Sequence, residues 1–232
     1  MPLVDPVPLH HDGPPDIGLW RLDLAFDASL DDIAFNALSD DERARAHAFR
    51  RHEDALRFAT VRLALRHQLA EQLGTAAYAI RFALDANHRP RLADSGELDF
   101  NVSHAGAHGL IALSRVRRVG VDIEERSSRF DWRSITALTL DASEAAWIDS
   151  LDVSAQTAAF YDAWVAKEAL VKTTGAGIAQ GLRRLTVLPR DGVTVKLRHH
   201  VPKAMRELSA QWIAASGAYA ACLAWSSPGL DG

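Results

Sequence analysis

The chain has 232 residues, of which 48% are hydrophobic and 24% charged, and a formal net charge of −4. That balance is ordinary for a soluble globular protein, with length enough for one large domain or two of roughly 110 residues, and it excludes a chain-wide nucleic-acid binder. A single cysteine, Cys222, rules out an intramolecular disulfide, and no stretch approaches the roughly 18 apolar residues of a membrane span.

The opening sixteen residues are Pro-rich and lack a basic segment followed by an apolar run, so they read as an extended lead-in rather than a signal peptide, and the chain is expected in the cytoplasm. "IGLWRLDLAF" alternates as a strand does. Ser39 followed by Glu42 is a capping-box signature and starts a helix through "DDERARAHAF". In "HEDALRFATVRLALRHQLAEQLG", Phe58, Val61, Leu65, Leu69 and Leu73 form an apolar stripe, with Gly74 suited to the C-terminal end. "AIRFAL", "LDFNVSH", "GLIALSRV" and "VGVDIEE" follow as short strands. Asp141 or Ser143 begins a helix through "EAAWIDSL", and residues 155–173 form another, with Gly175 and Gly177 beyond it. "LRRLTVLP", "VTVKLRHH", "QWIAASGA" and "YAACLAW" read as strands or short paired segments. Each half is thus helices plus a few strands, and Cys222 sits in the last apolar stretch as a small core residue.

Four stretches carry the chemistry. In "VGVDIEE", Val121 and Ile123 alternate with Asp122 and Glu124, so two carboxylates share one strand face. Such a pair suits a solvated edge strand, and equally Mg²⁺, which takes one or two carboxylates and completes its shell with water and phosphate oxygens. In "WVAKEALVK", Glu168 and Lys172 are four apart on one helical face. They form either an i,i+4 ion pair or a metal ligand or base beside a phosphate-binding cation. In "FNVSHAG", Asn101 and Ser103 point away from the face of Phe100 and Val102, and His104 stands at the turn. Phosphate contact, a Ser–His nucleophile pair and a satisfied turn all fit; the G-x-S-x-G elbow is absent. Seven arginines lie between residues 43 and 66, diluted by acids, and Arg89 and Arg91 precede a strand. Most read as a solvated face, with a subset able to grip an anion bidentately. Of the 26 basic residues only four are Lys, and two of these are Lys167 and Lys172. The histidines form no zinc pattern, His10–His11 and His199–His200 being adjacent pairs.

In this order and spacing, "LSDDERARAHAFRRHEDALRF", "RPRL", "FNVSHAG", "VGVDIEE" and "WVAKEALVKTTGAGI" resemble the 4'-phosphopantetheinyl transferases of the Sfp type, over about residues 38–188. The resemblance implies an α+β fold, a pseudo-dimer of two similar α+β halves, here 1–118 and 119–232, with coenzyme A in the cleft between them. It implies a monomer that moves the phosphopantetheine arm of coenzyme A onto a serine of an apo acyl or peptidyl carrier protein and releases adenosine 3',5'-bisphosphate. By motif position, Asp122, Glu124 and Glu168 hold Mg²⁺ and Glu144 stands near a further acidic position. Lys172, His104 and Ser103 meet phosphates, Arg45 and Arg89 match basic positions that approach the 3'-phosphate, and Arg57, one turn-set beyond Arg45, is expected to join them in binding coenzyme A. Glu168, Lys172 and His104 are the expected catalytic groups. The carrier supplies the nucleophile, so none is needed in this chain. Glu42 departs from the pattern, standing where some members are basic. Phe58 does too, at a position that can carry a hydroxyl. Two rival readings are a Mg²⁺-dependent nucleotide phosphohydrolase and a non-catalytic carrier-binding homologue.

Overall fold

The computed structural model of the chain describes residues 3–10, 13–31, 35–94, 96–175, 182–198 and 205–229. Gly177, His11, His199 and His200 lie outside them. The first half contains β1 (Leu3–Pro6), β2 (Ile17–Asp23), α1 (Asp40–His47), α2 (His52–Leu73), β3 (Phe82–Leu84), β4 (Pro90–Leu92), β5 (Asp99–Ala105) and β6 (His108–Ser114). The second contains β7 (Val119–Glu125), α3 (Thr136–Thr139), α4 (Ala142–Asp149), α5 (Val153–Thr174), β8 (Ser209–Trp212) and β9 (Tyr219–Trp225).

Local chemistry sets the helix ends. The Ser39 side chain accepts from the Glu42 amide, and the Glu42 carboxylate accepts from the Ser39 amide, which closes the capping box of α1. Asp141 and Glu144 do the same for α4. Gly74 and Gly175 end α2 and α5 with φ of 65° and 69°, a left-handed conformation that costs glycine nothing.

The strands form an antiparallel sheet in the order β1-β2-β6-β5, a β3-β4 hairpin, and an antiparallel sheet in the order β7-β9-β8. The period of two in each strand sorts side chains onto successive layers. Leu22, Phe100, Ile111 and Leu113 leave the first sheet on one side and meet Val61, Leu65 and Leu69 of α2. Leu19, Leu110 and Ala112 leave on the other side and meet Val121, Ile123, Ala221 and Leu223 of the second sheet. The far face of that second sheet, with Ala210, Trp212, Ala220 and Cys222, packs on α5. The order is therefore helix, sheet, sheet, helix, an α+β architecture. Both long helices cover outer faces while the two sheets share the inner core.

Two of the expected strands or short paired segments, "LRRLTVLP" and "VTVKLRHH", take the short paired form. Residues 182–184 make a single 3-10 turn, and the segments after it contribute only isolated bridges, Thr186 to Arg198 and Thr194 to Gln211. In the first, the backbone amides of Val187 and Leu188 are consumed by the Glu144 carboxylate, at 2.7 and 3.2 Å, rather than by a neighbouring strand; the second meets β8 through Val195 N to Ala210 O and Trp212 N to Val193 O, both 2.8 Å. Among the described residues no helix is long and apolar enough to cross a membrane.

Candidate active site

Strand β7 is buried from Val119 to Ile123 and Glu124 is half-buried, so the solvated-edge reading fails at Asp122. Val119, Val121 and Ile123 enter the core between the sheets, and Gly120, Asp122 and Glu124 face α5. Gly120 makes this possible. A Cβ there would lie 2.1 Å from the Ala169 carbonyl oxygen and 2.5 Å from Thr173 Oγ1, so the helix backbone rests directly on the strand. That contact brings Glu168 and Lys172 over the carboxylates.

Lys172 does not close an i,i+4 pair with Glu168. Its ammonium donates to Asp122 Oδ1 at 2.6 Å and more weakly to the Val121 carbonyl at 3.3 Å and Ser103 Oγ at 3.4 Å. The Ser103 hydroxyl donates to the same Asp122 oxygen at 2.9 Å. Asp122 is only 3% exposed. Its second oxygen, Oδ2, and Glu168 Oε1 are both buried without a hydrogen-bond partner among the described residues. Buried polar atoms are nearly always partnered, so two orphans in one acidic cluster mark a place built for something else. Burial is the first cause that lifts the Glu124 carboxyl from 4.5 to about 7, with Asp122 and then Glu168 adding repulsion against the pull of Lys172. Glu168 rises to about 7 by burial first and Asp122 second, again opposed by Lys172. Three carboxylates thus share one field with a single ammonium, the signature of a site short of positive charge.

No group of three His, Cys, Asp or Glu among the described residues forms a ready metal cage. The donor set nonetheless suits Mg²⁺. That ion needs only one or two protein carboxylates, and the orphaned oxygens of Asp122 and Glu168 are hard donors lacking a counter-charge.

Strand β5 brings further groups to the cluster. His104 follows Ser103 at the end of β5. Desolvation lowers the pKa of its ring first, and the positive charges of Arg57 and Lys172 lower it further. Arg57 donates to the Gly106 carbonyl at 3.1 Å and to Asp54 at 2.6 Å. Gly106 turns β5 into β6 with φ of 51°. A Cβ at Gly106 would come within 2.3 Å of Tyr219 Oη on β9.

Several expected residues are placed otherwise. Arg89 points inward to where α5, β5 and β7 meet. One terminal nitrogen donates to the Lys172 and Thr173 carbonyls at 2.5 and 3.4 Å. The other donates to Asp99, Phe100 O and Val119 O at 2.7, 3.0 and 2.9 Å. A phosphate contact by these nitrogens would have to displace protein acceptors, so the structure gives Arg89 a joining role. Glu144 is withdrawn as well. It is fully buried, ion-paired with Lys167, and accepts from three backbone amides, those of Asp141, Val187 and Leu188. With both oxygens occupied by protein donors it caps α4 and anchors the segment after α5, and is not a spare ligand. Arg45 remains exposed, its guanidinium 4.8 Å above the Phe58 ring. Phe58 therefore serves as a platform for Arg45. Glu42 is held by Arg66 at 2.7 Å and Arg62 at 3.5 Å, which explains an acid at that position. Spacing did not reveal Asp99 and Asn101 as neighbours of β7, although the alternation Asp99, Asn101, Ser103 puts all three on one face of β5.

Two family models match the chain. One, for the 4'-phosphopantetheinyl transferase superfamily, covers residues 118–224, and the other, for a 4'-phosphopantetheinyl transferase N-terminal region, covers residues 28–115. Over 158 residues the chain is 36% identical to slr0495 of Synechocystis sp., an alignment covering 67% of this chain and 63% of that protein. It is 34% identical over 170 residues to the 4'-phosphopantetheinyl transferase HetI of Nostoc sp., covering 71% of each. It is 33% identical over 165 residues to the 4'-phosphopantetheinyl transferase psf-1 of Bacillus pumilus, covering 70% of each. The "GVDIE" and "KEA" stretches fall within the first of those models, "FNVSH" within the second, and on these matches the chain belongs to the 4'-phosphopantetheinyl transferase superfamily.

Proposed function

We propose that this chain transfers the 4'-phosphopantetheine arm of coenzyme A to a serine of an apo acyl or peptidyl carrier protein and releases adenosine 3',5'-bisphosphate. The observation that carries the reading is the charge-deficient cluster of Asp122, Glu124 and Glu168 facing Lys172, with two buried carboxylate oxygens unpartnered. Asp122, Glu124 and Glu168 are the residues that would hold Mg²⁺. When bound there, the ion would neutralise pyrophosphate charge that repels an incoming oxygen.

The remaining work falls to side chains. Lys172 lies at the same cluster and offsets phosphate charge in a part-buried setting, where a fixed cation is worth more than in water. His104 and Ser103, at the end of β5, orient phosphate oxygens from the other half, and Arg57 and the exposed Arg45 add positive charge on that side. The carrier serine oxygen forms a bond to the β-phosphorus as the bond from that phosphorus to the bisphosphate oxygen breaks. Glu168, whose carboxyl burial raises to about 7, accepts the serine proton directly or through a water. Phosphoryl transfer asks mostly for positioning and charge neutralisation, which suits a site with no nucleophile of its own. Ser103 and His104 of β5 and Asp122, Glu124, Glu168 and Lys172 all come from one chain, which supports action as a monomer.

The test is mass spectrometry of a panel of apo-carriers incubated with the chain, coenzyme A and Mg²⁺. Gain of one phosphopantetheine arm on the carrier serine is expected. Release of adenosine 3',5'-bisphosphate from coenzyme A without any carrier would show a hydrolase instead. No modification across the panel, with carriers that a known transferase does modify, would overturn the reading.

A further inference from the structure

Strand β5 is an edge of the first sheet and β7 an edge of the second. An open, buried edge leaves amides that must find acceptors. On β7 they find side chains rather than another strand. The Val119 amide donates to Asp99 Oδ2 at 2.7 Å, the Val121 amide to Asn101 Oδ1 at 2.9 Å, and the Ile123 amide to Ser103 Oγ at 3.3 Å. Both strands advance by two residues per rung, so β5 and β7 run side by side in step. The carbonyls of that edge are also used, Val119 O by Arg89 and Val121 O by Lys172.

The rungs differ in what else they do. Asp99 also neutralises Arg89, and Ser103 also contacts Asp122 and Lys172. Asn101 Oδ1 serves the Val121 amide alone among the described contacts. Val121 immediately precedes Asp122, and Asn101 lies two residues before Ser103. The Asn101 rung therefore holds the backbone next to the acidic cluster at a fixed height against the Ser103–His104 wall.

We propose that Asn101 is a positioning residue for transfer. Its amide oxygen sets the register of β7 on β5, and so the placement of Asp122 and Glu124 opposite Ser103 and His104. The inference rests on the transferase reading for its kinetic consequence, but the rung itself can be read without substrate.

The test compares Asn101→Leu, similar in size with no acceptor, with Asn101→Ser, which restores the kind of oxygen that makes the next rung. Hydrogen exchange of the Val121 amide and steady-state kinetics are measured well below each variant's melting temperature. Asn101→Leu is expected to expose the Val121 amide to faster exchange and to lower kcat by about 10- to 100-fold, the scale of a small misplacement of reacting groups. The KM for coenzyme A should change far less, and Asn101→Ser should recover most of the kcat. A folded Asn101→Leu with parental kcat, or an Asn101→Ser no better than the Leu variant, overturns the proposal. If the Leu variant does not fold, Asn101→Ala takes its place in the same comparison. A parent chain inert toward every carrier sinks the transferase reading. A Val121 amide in the parent that exchanges as freely as an exposed one sinks the rung.

Discussion

Lys172 Nζ lies 2.6 Å from Asp122 Oδ1, while Asp122 Oδ2, on the same buried carboxylate, has no hydrogen-bond partner among the described residues. One oxygen is neutralised by the protein, and under the proposed function the other is the one a metal would take. Asp122→Asn keeps the shape and the contact with Ser103 but removes the charge. Turnover with coenzyme A and a carrier should fall by about 100- to 1,000-fold, on the scale of losing a preorganised electrostatic group. The melting temperature should change little or rise. Near-parental turnover in the folded variant would remove Asp122 from the site.

Lys172→Met tests the other side of the pair. With the cation gone, Asp122, Glu124 and Glu168 repel one another without an offset. The variant should lose both turnover, by about 100-fold on the same electrostatic scale, and stability at neutral pH. The stability loss should shrink as pH falls, because protonating Glu124 and Glu168 relieves the repulsion. A variant with a lower melting temperature and unchanged kcat would make Lys172 a structural ion-pair partner only.

Glu124 and Glu168 are raised from 4.5 to about 7 in the folded chain. Between those values the folded state binds more protons than the unfolded state. Their contribution to stability is therefore fullest below about pH 4.5 and is lost as pH rises through about 7. Glu168→Gln removes its share of this slope. By thermal melts without divalent cations, the variant should gain several degrees on the parent at about pH 8, since about 1 kcal/mol corresponds to about 2–4 °C at this size. The gain should narrow at about pH 5. Added Mg²⁺ should raise the parent's melting temperature at the higher pH. An equal gap at both pH values would show that the shift on Glu168 does not govern stability.

The chemistry was legible in the sequence where it depends on residue type at short spacing. Asp122 and Glu124 share a strand face, Glu168 and Lys172 a helical turn, and Ser39 and Glu42 a capping box; each follows from a period of two or 3.6. What was not legible is the choice of long-range partner. "RPRL" reads as an anion site, but Arg89 folds inward because Asp99 and four carbonyls converge there, and nothing within the stretch announces them. Glu144 looks like a spare acid until Lys167 and the amides of Val187 and Leu188 close on it, and the same bonds hold "LRRLTVLP" to a short pairing rather than a full strand. The face that Asp122 shares with Gly120 was readable as polar. Its burial under α5 was not, because burial depends on a helix about fifty residues away.

Arg89 gives a direct contest between joint and phosphate ligand. As the joint, Arg89→Met leaves Asp99 charged in a buried place and frees carbonyls on three elements. Stability should drop by roughly 3–5 kcal/mol, the cost of breaking a buried pair from one side. The KM for coenzyme A should move little in the fraction that stays folded. A phosphate ligand would behave oppositely, with a large rise in KM and an almost unchanged denaturation midpoint. Urea unfolding and kinetics on the same preparation decide between them.

Gly120 is where α5 touches β7, and its substitution tests whether that contact sets the active site. An added methyl at Gly120→Ala meets the Ala169 carbonyl oxygen at 2.1 Å. That oxygen belongs to the helix backbone and cannot rotate away, so α5 must rise or tilt. Overpacking of this kind costs about 1–3 kcal/mol. The same displacement moves Glu168 and Lys172, one residue before and three residues after Ala169, away from Asp122, so kcat should fall even at temperatures where the variant is fully folded. Trimming the second obstacle, Thr173 Oγ1 at 2.5 Å, should not rescue it, because the backbone contact persists. If Gly120→Ala with Thr173→Ala regained parental turnover, the side chain rather than the helix backbone would be the limiting contact, and the close approach of α5 would not be what assembles the site.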